Sequence, residues 1–328
     1  MMRSKLSNSD NEEQRMKKVG QFIAISLGAV GALLPVQTYR RYRHEMDAIR
    51  ERVRAGSEIL KTDHSEIEYA VRGEGAPALV LHGSGGGYDQ GLLLGEQVLG
   101  DGFRFISVSR FGFLRSTMPE DSSVEAQAAL YTTFLDHLRI EKVIVVAGSG
   151  GGPSALQFAH DYPDRCSALI LVSAMSMPMT ETFPIRVMHF IQRSDYVYWM
   201  LARFFQSQLL ELLGTSTEVY EGANPEEREL VQETLDAMHP MSPRRKGTVH
   251  TFEIRPLDSV SMGHISVPTL ILHAKDDKLM DYKHAEFAHR NIRQSRLISF
   301  EAGGHGLLTR VNEVRDHVSR FLETVQEC

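Results

Sequence analysis

From residue 57 onward, short apolar runs take turns with stretches in which apolar residues recur every three or four positions. Val143-Ile144-Val145-Val146 is a continuous β-branched run of the kind that fills a parallel strand buried on both faces. Similar or shorter patterns predict strands at Glu58–Thr62, Ile67–Arg72, Ala78–Leu81, Phe103–Val108, Ala168–Val172, Pro268–His273 and Arg296–Phe300. Helical spacing falls between them at Val124–Leu138, at Tyr282–Asn291 and from Leu307 to about Val325. Another helix opens near Gly150, with Pro153 in its first turn, where a missing N–H costs nothing. This alternation predicts an α/β fold built on a doubly wound, mostly parallel sheet.

Two regions break the pattern. Residues 176–262 read as helices rich in methionine and aromatics, among them Phe190, Tyr196, Tyr198, Trp199, Met200, Phe204 and Phe205. They predict an α-helical cap inserted into the sheet, with most of these aromatics in the cap's own core and a minority facing the active site. Near the N-terminus, Val19–Tyr39 is twenty-one residues without a formal charge. As a helix it would span about 30 Å, the thickness of the bilayer hydrocarbon core, and it is read as a transmembrane anchor.

A cleaved signal and an amphipathic or buried helix are the alternatives, the former weakened by the polar lead 1–18 and the lack of a small-x-small site before Arg40. Arg15, Lys17 and Lys18 balance Arg40, Arg41 and Arg43 across the segment, so charge leaves its orientation open. Residues 40–56 then read as a basic juxtamembrane helix stopped by Gly56, or equally as a solvated spacer. The expected organisation is 1–18 polar lead, 19–39 anchor, 40–56 basic helix, 57–175 core, 176–262 cap and 263–328 core.

At 328 residues with 42% hydrophobic composition, a sizeable core is available, and collagen-like and disordered readings fall away. Cys166 and Cys328 make neither a disulfide framework nor a zinc pattern. The net charge of −6 divides unevenly: residues 1–54 carry eleven Lys/Arg against six Asp/Glu, and the rest twenty-five against thirty-six. A basic N-terminus suits anionic lipid, and an acidic body argues against nucleic acid as a partner.

The chemistry concentrates at Ala147-Gly148-Ser149-Gly150-Gly151, where a serine stands between a strand end and a helix start. This resembles the nucleophile elbow of the α/β-hydrolase fold, departing from G-x-S-x-G by the methyl of Ala147. Three further motifs follow the family's pattern: His82-Gly83-Ser84 after a strand, Asp276-Asp277 after a late strand, and His305 in the glycine-flanked loop Gly303-Gly304-His305-Gly306. The resemblance covers about residues 57–328. It implies Ser149 as nucleophile, His305 as base and Asp277, favoured over Asp276 by the His273-to-Asp277 spacing, as the group that orients the imidazole.

The resemblance also implies an oxyanion hole from the backbone N–H groups of Ser84 and Gly150, with no cofactor or metal. His82 reads as a structural partner of its loop. Arg110, in the loop Ser109–Ser116, reads as a structural hydrogen-bonding arginine or as a receptor for a substrate carboxylate. The expected substrate is a small-molecule ester or related acyl compound, lipid-like if the anchor holds. A serine in place of aspartate argues against haloalkane dehalogenase and epoxide hydrolase chemistry. The alternatives are carbon–carbon bond hydrolysis and a non-catalytic, membrane-tethered binding module. A dinucleotide-binding oxidoreductase is disfavoured because Gly83-Ser84-Gly85-Gly86-Gly87 lacks a clean G-x-G-x-x-G opening a helix.

Overall fold

The computed structural model describes residues 36–63, 65–179 and 183–326. The chain divides into two compact units between Arg50 and Glu51. Residues 36–55 form helix α1, which ends where the Gly56 N–H bonds to the Arg52 carbonyl at 3.0 Å. The anchor expected over 19–39 lies outside the described residues except for 36–39, which open α1. Among the described residues, no helix is long and apolar enough to cross a membrane.

The second unit is built on eight strands: β1 (Glu58–Lys61), β2 (Glu66–Arg72), β3 (Ala76–Leu81), β4 (Phe103–Val108), β5 (Val143–Gly148), β6 (Cys166–Val172), β7 (Thr269–Ala274) and β8 (Ser295–Phe300). Their order is β1-β2-β4-β3-β5-β6-β7-β8. β2 runs antiparallel to β1 and β4, and the other pairings are parallel. The sheet is therefore mostly parallel, as the strand–helix alternation predicts. All six residues of β5 are buried, and Val143, Val145 and Ala147 join Leu79, Leu81, Leu169 and Leu171 in the main core. Each buried valine or leucine among them contributes about 1.5–3 kcal/mol on burial.

Four helices of the core flank these strands: α2 (Tyr88–Leu99), α3 (Val124–His137), α4 (Gly152–Asp161) and, after the insertion, α12 (Lys283–Asn291), with α13 (Val311–Gln326) closing the chain. The final helix begins at Val311 rather than Leu307, because Leu307 belongs to a short 3-10 turn that starts at His305. Helix α2 was not anticipated. Gly91 and Gly95 lower its helical propensity, yet they are what lets it lie on the sheet: a Cβ at Gly95 would fall 2.7 Å from Phe105 Cδ1 and 3.0 Å from Val80 Cγ2.

The insertion between β6 and β7 is helical: α5 (Phe183–Ile191), α6 (Asp195–Phe204), α7 (Gln206–Leu212), α8 (Thr217–Gly222), α9 (Pro225–Ala237), α10 (Arg245–Glu253) and α11 (Ser259–Met262). It has its own core, which includes Met188, Tyr198, Leu209, Val231 and Leu235. Asn224 opens α9 with a capping box that Glu227 completes. The fully buried Arg244 fixes the insertion to α2, donating to both Asp89 oxygens at 2.8 and 2.6 Å and to the His239 and Pro240 carbonyls. A minority of the cap's aromatics does face the active site, namely Phe252 of α10, but several of the others depart from the expected cap core. Tyr198 and Trp199 are buried within the cap, whereas Phe190, Phe204 and Phe205 are exposed to solvent.

Candidate active site

The end of β5 turns so sharply that Ser149 adopts φ +47, a left-handed conformation that costs a non-glycine residue about 1–3 kcal/mol. Tertiary contacts hold it there. The Met175 N–H bonds to the Ser149 carbonyl at 2.8 Å, tying the turn to the segment after β6. A Cβ at Gly151 would collide with the Leu81 and His82 carbonyls, so glycine at that position lets the turn pass under the end of β3. A 3-10 turn over Ser149–Gly151 leads into α4, and Pro153 lies in the first turn of that helix. Ala147 is fully buried and pairs with Leu81 and Leu171, so its extra methyl fits within the sheet.

The loop after β8 carries His305. Its Nδ1 lies 2.8 Å from Asp277 Oδ2, a contact made by two groups twenty-eight residues apart in the chain. Asp277 Oδ1 accepts the N–H groups of Leu279 and Met280 at 2.9 and 2.8 Å, and His273 Nε2 lies 3.5 Å from Oδ2. Burial pushes the Asp277 carboxyl up. The charge of His305, the hydrogen bonds from His273 and His305 and the Met280 N–H outweigh it and hold the group well below the usual carboxylate range.

Asp276 has a different task. Its Oδ1 accepts the N–H groups of Gly303 and Gly304, both at 3.0 Å, and thereby shapes the loop that presents His305. Gly304 (φ +64) and Gly306 (φ +79) supply backbone angles that other residues rarely adopt, and the Gly306 N–H bonds to Ser173 Oγ at 3.1 Å.

Ser149 and His305 line one cavity of about 150 Å³. Among the described residues, the Ser149 hydroxyl makes no hydrogen bond to His305; in enzymes of this chemistry the contact commonly tightens only in the substrate complex. The walls are mainly apolar, with Leu94, Val172, Met175, Met238, Phe252 and Leu279 among them, and among the described residues no lysine or arginine lines the cavity. Its aromatic from the cap is Phe252 of α10, a residue the sequence pattern did not single out.

Ser84 and Gly150 lie side by side on this wall: a Cβ at Gly150 would stand 3.2 Å from Ser84 N and would collide with the Ser84 hydroxyl. The Ser84 N–H has no acceptor among the described residues, so it is available to a developing oxyanion. Gln90, also unforeseen, braces this loop by accepting the Gly83 N–H at 3.2 Å.

His82 is fully buried behind the loop and does not line the cavity. Its Nε2 accepts the Arg110 backbone N–H at 3.0 Å, so Nδ1 carries the proton and donates to the Gly83 carbonyl at 2.7 Å. Burial, and then the Arg110 charge, push its pKa well below the ordinary value, so the ring is neutral. Arg110 donates from Nε to the His82 carbonyl at 3.1 Å and lies off the cavity wall, which suits a structural arginine better than a carboxylate receptor. Among the described residues, no group of three or more His, Cys, Asp or Glu side chains is placed to hold a metal ion.

Comparison with known proteins gives consistent relatives. The family model described as alpha/beta hydrolase fold matches residues 77–308. The uncharacterized hydrolase YcgS of Bacillus subtilis is 29% identical over 261 residues, 76% of this chain and 91% of the relative. The 2-hydroxy-6-oxo-6-phenylhexa-2,4-dienoate hydrolase of Comamonas testosteroni is 28% identical over 263 residues, 76% of this chain and 88% of that enzyme. A solved structure of a thermophilic esterase from Thermogutta terrifontis superposes with a TM-score of 0.61 at 23% identity, covering 82% of this chain and 98% of the esterase.

Proposed function

Because the chain belongs to the α/β-hydrolase fold family, we propose that it is a serine hydrolase that cleaves an ester or related acyl substrate through an acyl-enzyme on Ser149. The observation that carries this reading is the Asp277–His305 pair opening on the same apolar cavity as a serine held at φ +47. Ser149 attacks the acyl carbonyl while His305 takes its proton and later delivers it to the leaving group. Asp277 keeps the His305 proton on Nδ1, so that Nε2 is the basic nitrogen, and stabilises the imidazolium. The N–H groups of Ser84 and Gly150 receive the tetrahedral oxygen, a donor of this kind contributing about 3 kcal/mol to the transition state. Water then repeats the sequence on the acyl-enzyme.

The cavity lining favours a neutral acyl chain. A dienoate of the kind named for the Comamonas relative carries a carboxylate, and among the described residues no lysine or arginine faces the cavity to receive one. Carbon–carbon bond hydrolysis therefore ranks second. The uncharged stretch 19–39 supports a lipid-like substrate reached from a membrane tether.

The test is labelling of the full chain by a fluorophosphonate, followed by turnover of esters of graded acyl length. Labelling and turnover are expected in the wild type and abolished in Ser149→Ala. Ser84→Ala should keep most activity, because its part is played by the backbone. Failure of the wild type to label would turn the reading toward a binding module. Equal losses in the two variants would remove Ser149 from its assigned place.

A further inference from the structure

The cavity at Ser149 extends beyond what bond cleavage needs. Gln90, Leu94 and Gln97 stand four and three residues apart on α2, so they share one face of that helix and line the cavity together. Val231, Thr234 and Leu235 of α9 supply the facing wall of this arm. The face starts beside the nucleophile: a Cβ at Gly83 would stand 3.1 Å from Ser149 Cβ and 3.7 Å from Gln90 Oε1. It ends at Gln97, about 10 Å further along the helix.

Between these ends the arm is apolar, but its far end is not. Gln97 is 5% exposed and donates from Nε2 to Thr234 Oγ1 at 3.3 Å. Thr234 gives its one hydroxyl proton to the Leu230 carbonyl at 2.8 Å, so toward Gln97 it can only accept. That fixes the orientation of the amide and turns Oε1 outward. Among the described residues no donor reaches Gln97 Oε1, and the atom is not sealed in the interior but open to the cavity that Gln97 lines.

The chemistry of the arm selects what could meet this acceptor. Among the described residues, no lysine, arginine, aspartate or glutamate lines the cavity, so an ammonium or carboxylate entering it would be buried without a counter-charge. A plain alkyl end would strip solvent from Oε1 and return nothing, whereas a hydroxyl restores the hydrogen bond. The acyl part of a substrate stays on Ser149 while the leaving group departs. An arm that starts at Ser149 therefore serves both half-reactions only if it takes the acyl chain.

We propose that the arm between α2 and α9 binds a hydroxylated acyl chain, and that Gln97 Oε1, oriented by Thr234, accepts the hydrogen bond of the terminal hydroxyl. The proposal rests on the acyl-hydrolase reading of Ser149. An extended chain advances about 1.2 Å per bond, so about eight bonds reach from the carbonyl to Gln97.

The experiment uses the full chain with p-nitrophenyl ω-hydroxyoctanoate and p-nitrophenyl nonanoate, whose chains match in heavy atoms and differ in the terminal hydroxyl. Wild-type kcat/KM should favour the hydroxy ester by about tenfold. Gln97→Leu should reverse that preference, because the arm is then apolar to its end. Thr234→Val, which releases the amide from its fixed orientation, should lower the preference and serves if Gln97→Leu does not fold. A ratio taken within one variant does not move with a general loss of activity, so a merely structural role for Gln97 would leave it unchanged. A wild type that prefers nonanoate, or a Gln97→Leu that keeps the wild-type preference, would overturn the proposal. p-Nitrophenyl acetate, too short to enter the arm, tests the underlying reading separately. Its turnover by the wild type without a hydroxyl preference overturns the arm assignment alone; neither turnover nor labelling at Ser149 overturns both.

Discussion

Neighbouring aspartates with unlike partners set different expectations at residue scale. Asp277 touches His305 and is buried, whereas Asp276 grips the Gly303–Gly304 backbone. Asp277→Asn keeps the shape and an acceptor for the Leu279 and Met280 N–H groups, but it loses the charge that holds the imidazole tautomer. Its kcat is expected to fall by about 10³–10⁴, alongside a loss of stability of the kind that protonating Asp277 also brings. Asp276→Ala leaves two loop N–H groups unpaired and should cost about 1–2 kcal/mol of stability with a smaller loss of rate. Steady-state kinetics beside urea unfolding separate the two, and the reverse ranking would exchange their roles. Two aspartates in sequence left this choice to a family spacing; the loop after β8 meets both, and what separates them is that it turns its His305 side chain to Asp277 and its Gly303–Gly304 backbone to Asp276.

Helix α2 shows how an element can be hidden by the residues that seat it. In an open helix interior, Gly→Ala adds about 1 kcal/mol of stability. At Gly95 the added methyl would press on Phe105 and Val80 in the sheet, so Gly95→Ala is expected to destabilise by about 1–3 kcal/mol instead. A urea midpoint at or above the wild-type value would show that α2 has room to move off β4. Strand β5 is the opposite case. Its β-branched run is legible locally because a strand buried on both faces has no polar face to confuse the period.

At the scale of the whole molecule, buried neutral histidines make stability depend on pH. Burial, first of all, holds His82 well below the ordinary histidine value and lowers His284 to about 4. The unfolded chain protonates these rings near pH 6.5, so it binds more protons than the native state below that point. Their contribution is complete above about pH 6.5 and is lost as pH falls toward 4, at up to about 1.4 kcal/mol per pH unit for each ring. Asp277, with its lowered pKa, adds a loss below about pH 4. Urea unfolding at pH 7.5 and 5.0 should therefore show a lower midpoint at the acidic pH, and a flat profile would contradict the buried neutral state of both rings.

Local order in the chain determined the strand–helix alternation, the place of the cap and the three motifs that carry Ser149, the Asp276–Asp277 pair and His305. Each of these is written in periodicity or in a glycine-bounded turn, which neighbouring residues impose on one another. Tertiary structure alone decided that Asp277 meets His305, that Phe252 rather than the aromatics of α6 faces the cavity, and that Arg110 lies buried against the His82 loop. Those outcomes depend on which surfaces pack together across tens to more than a hundred residues, and no local pattern encodes that separation.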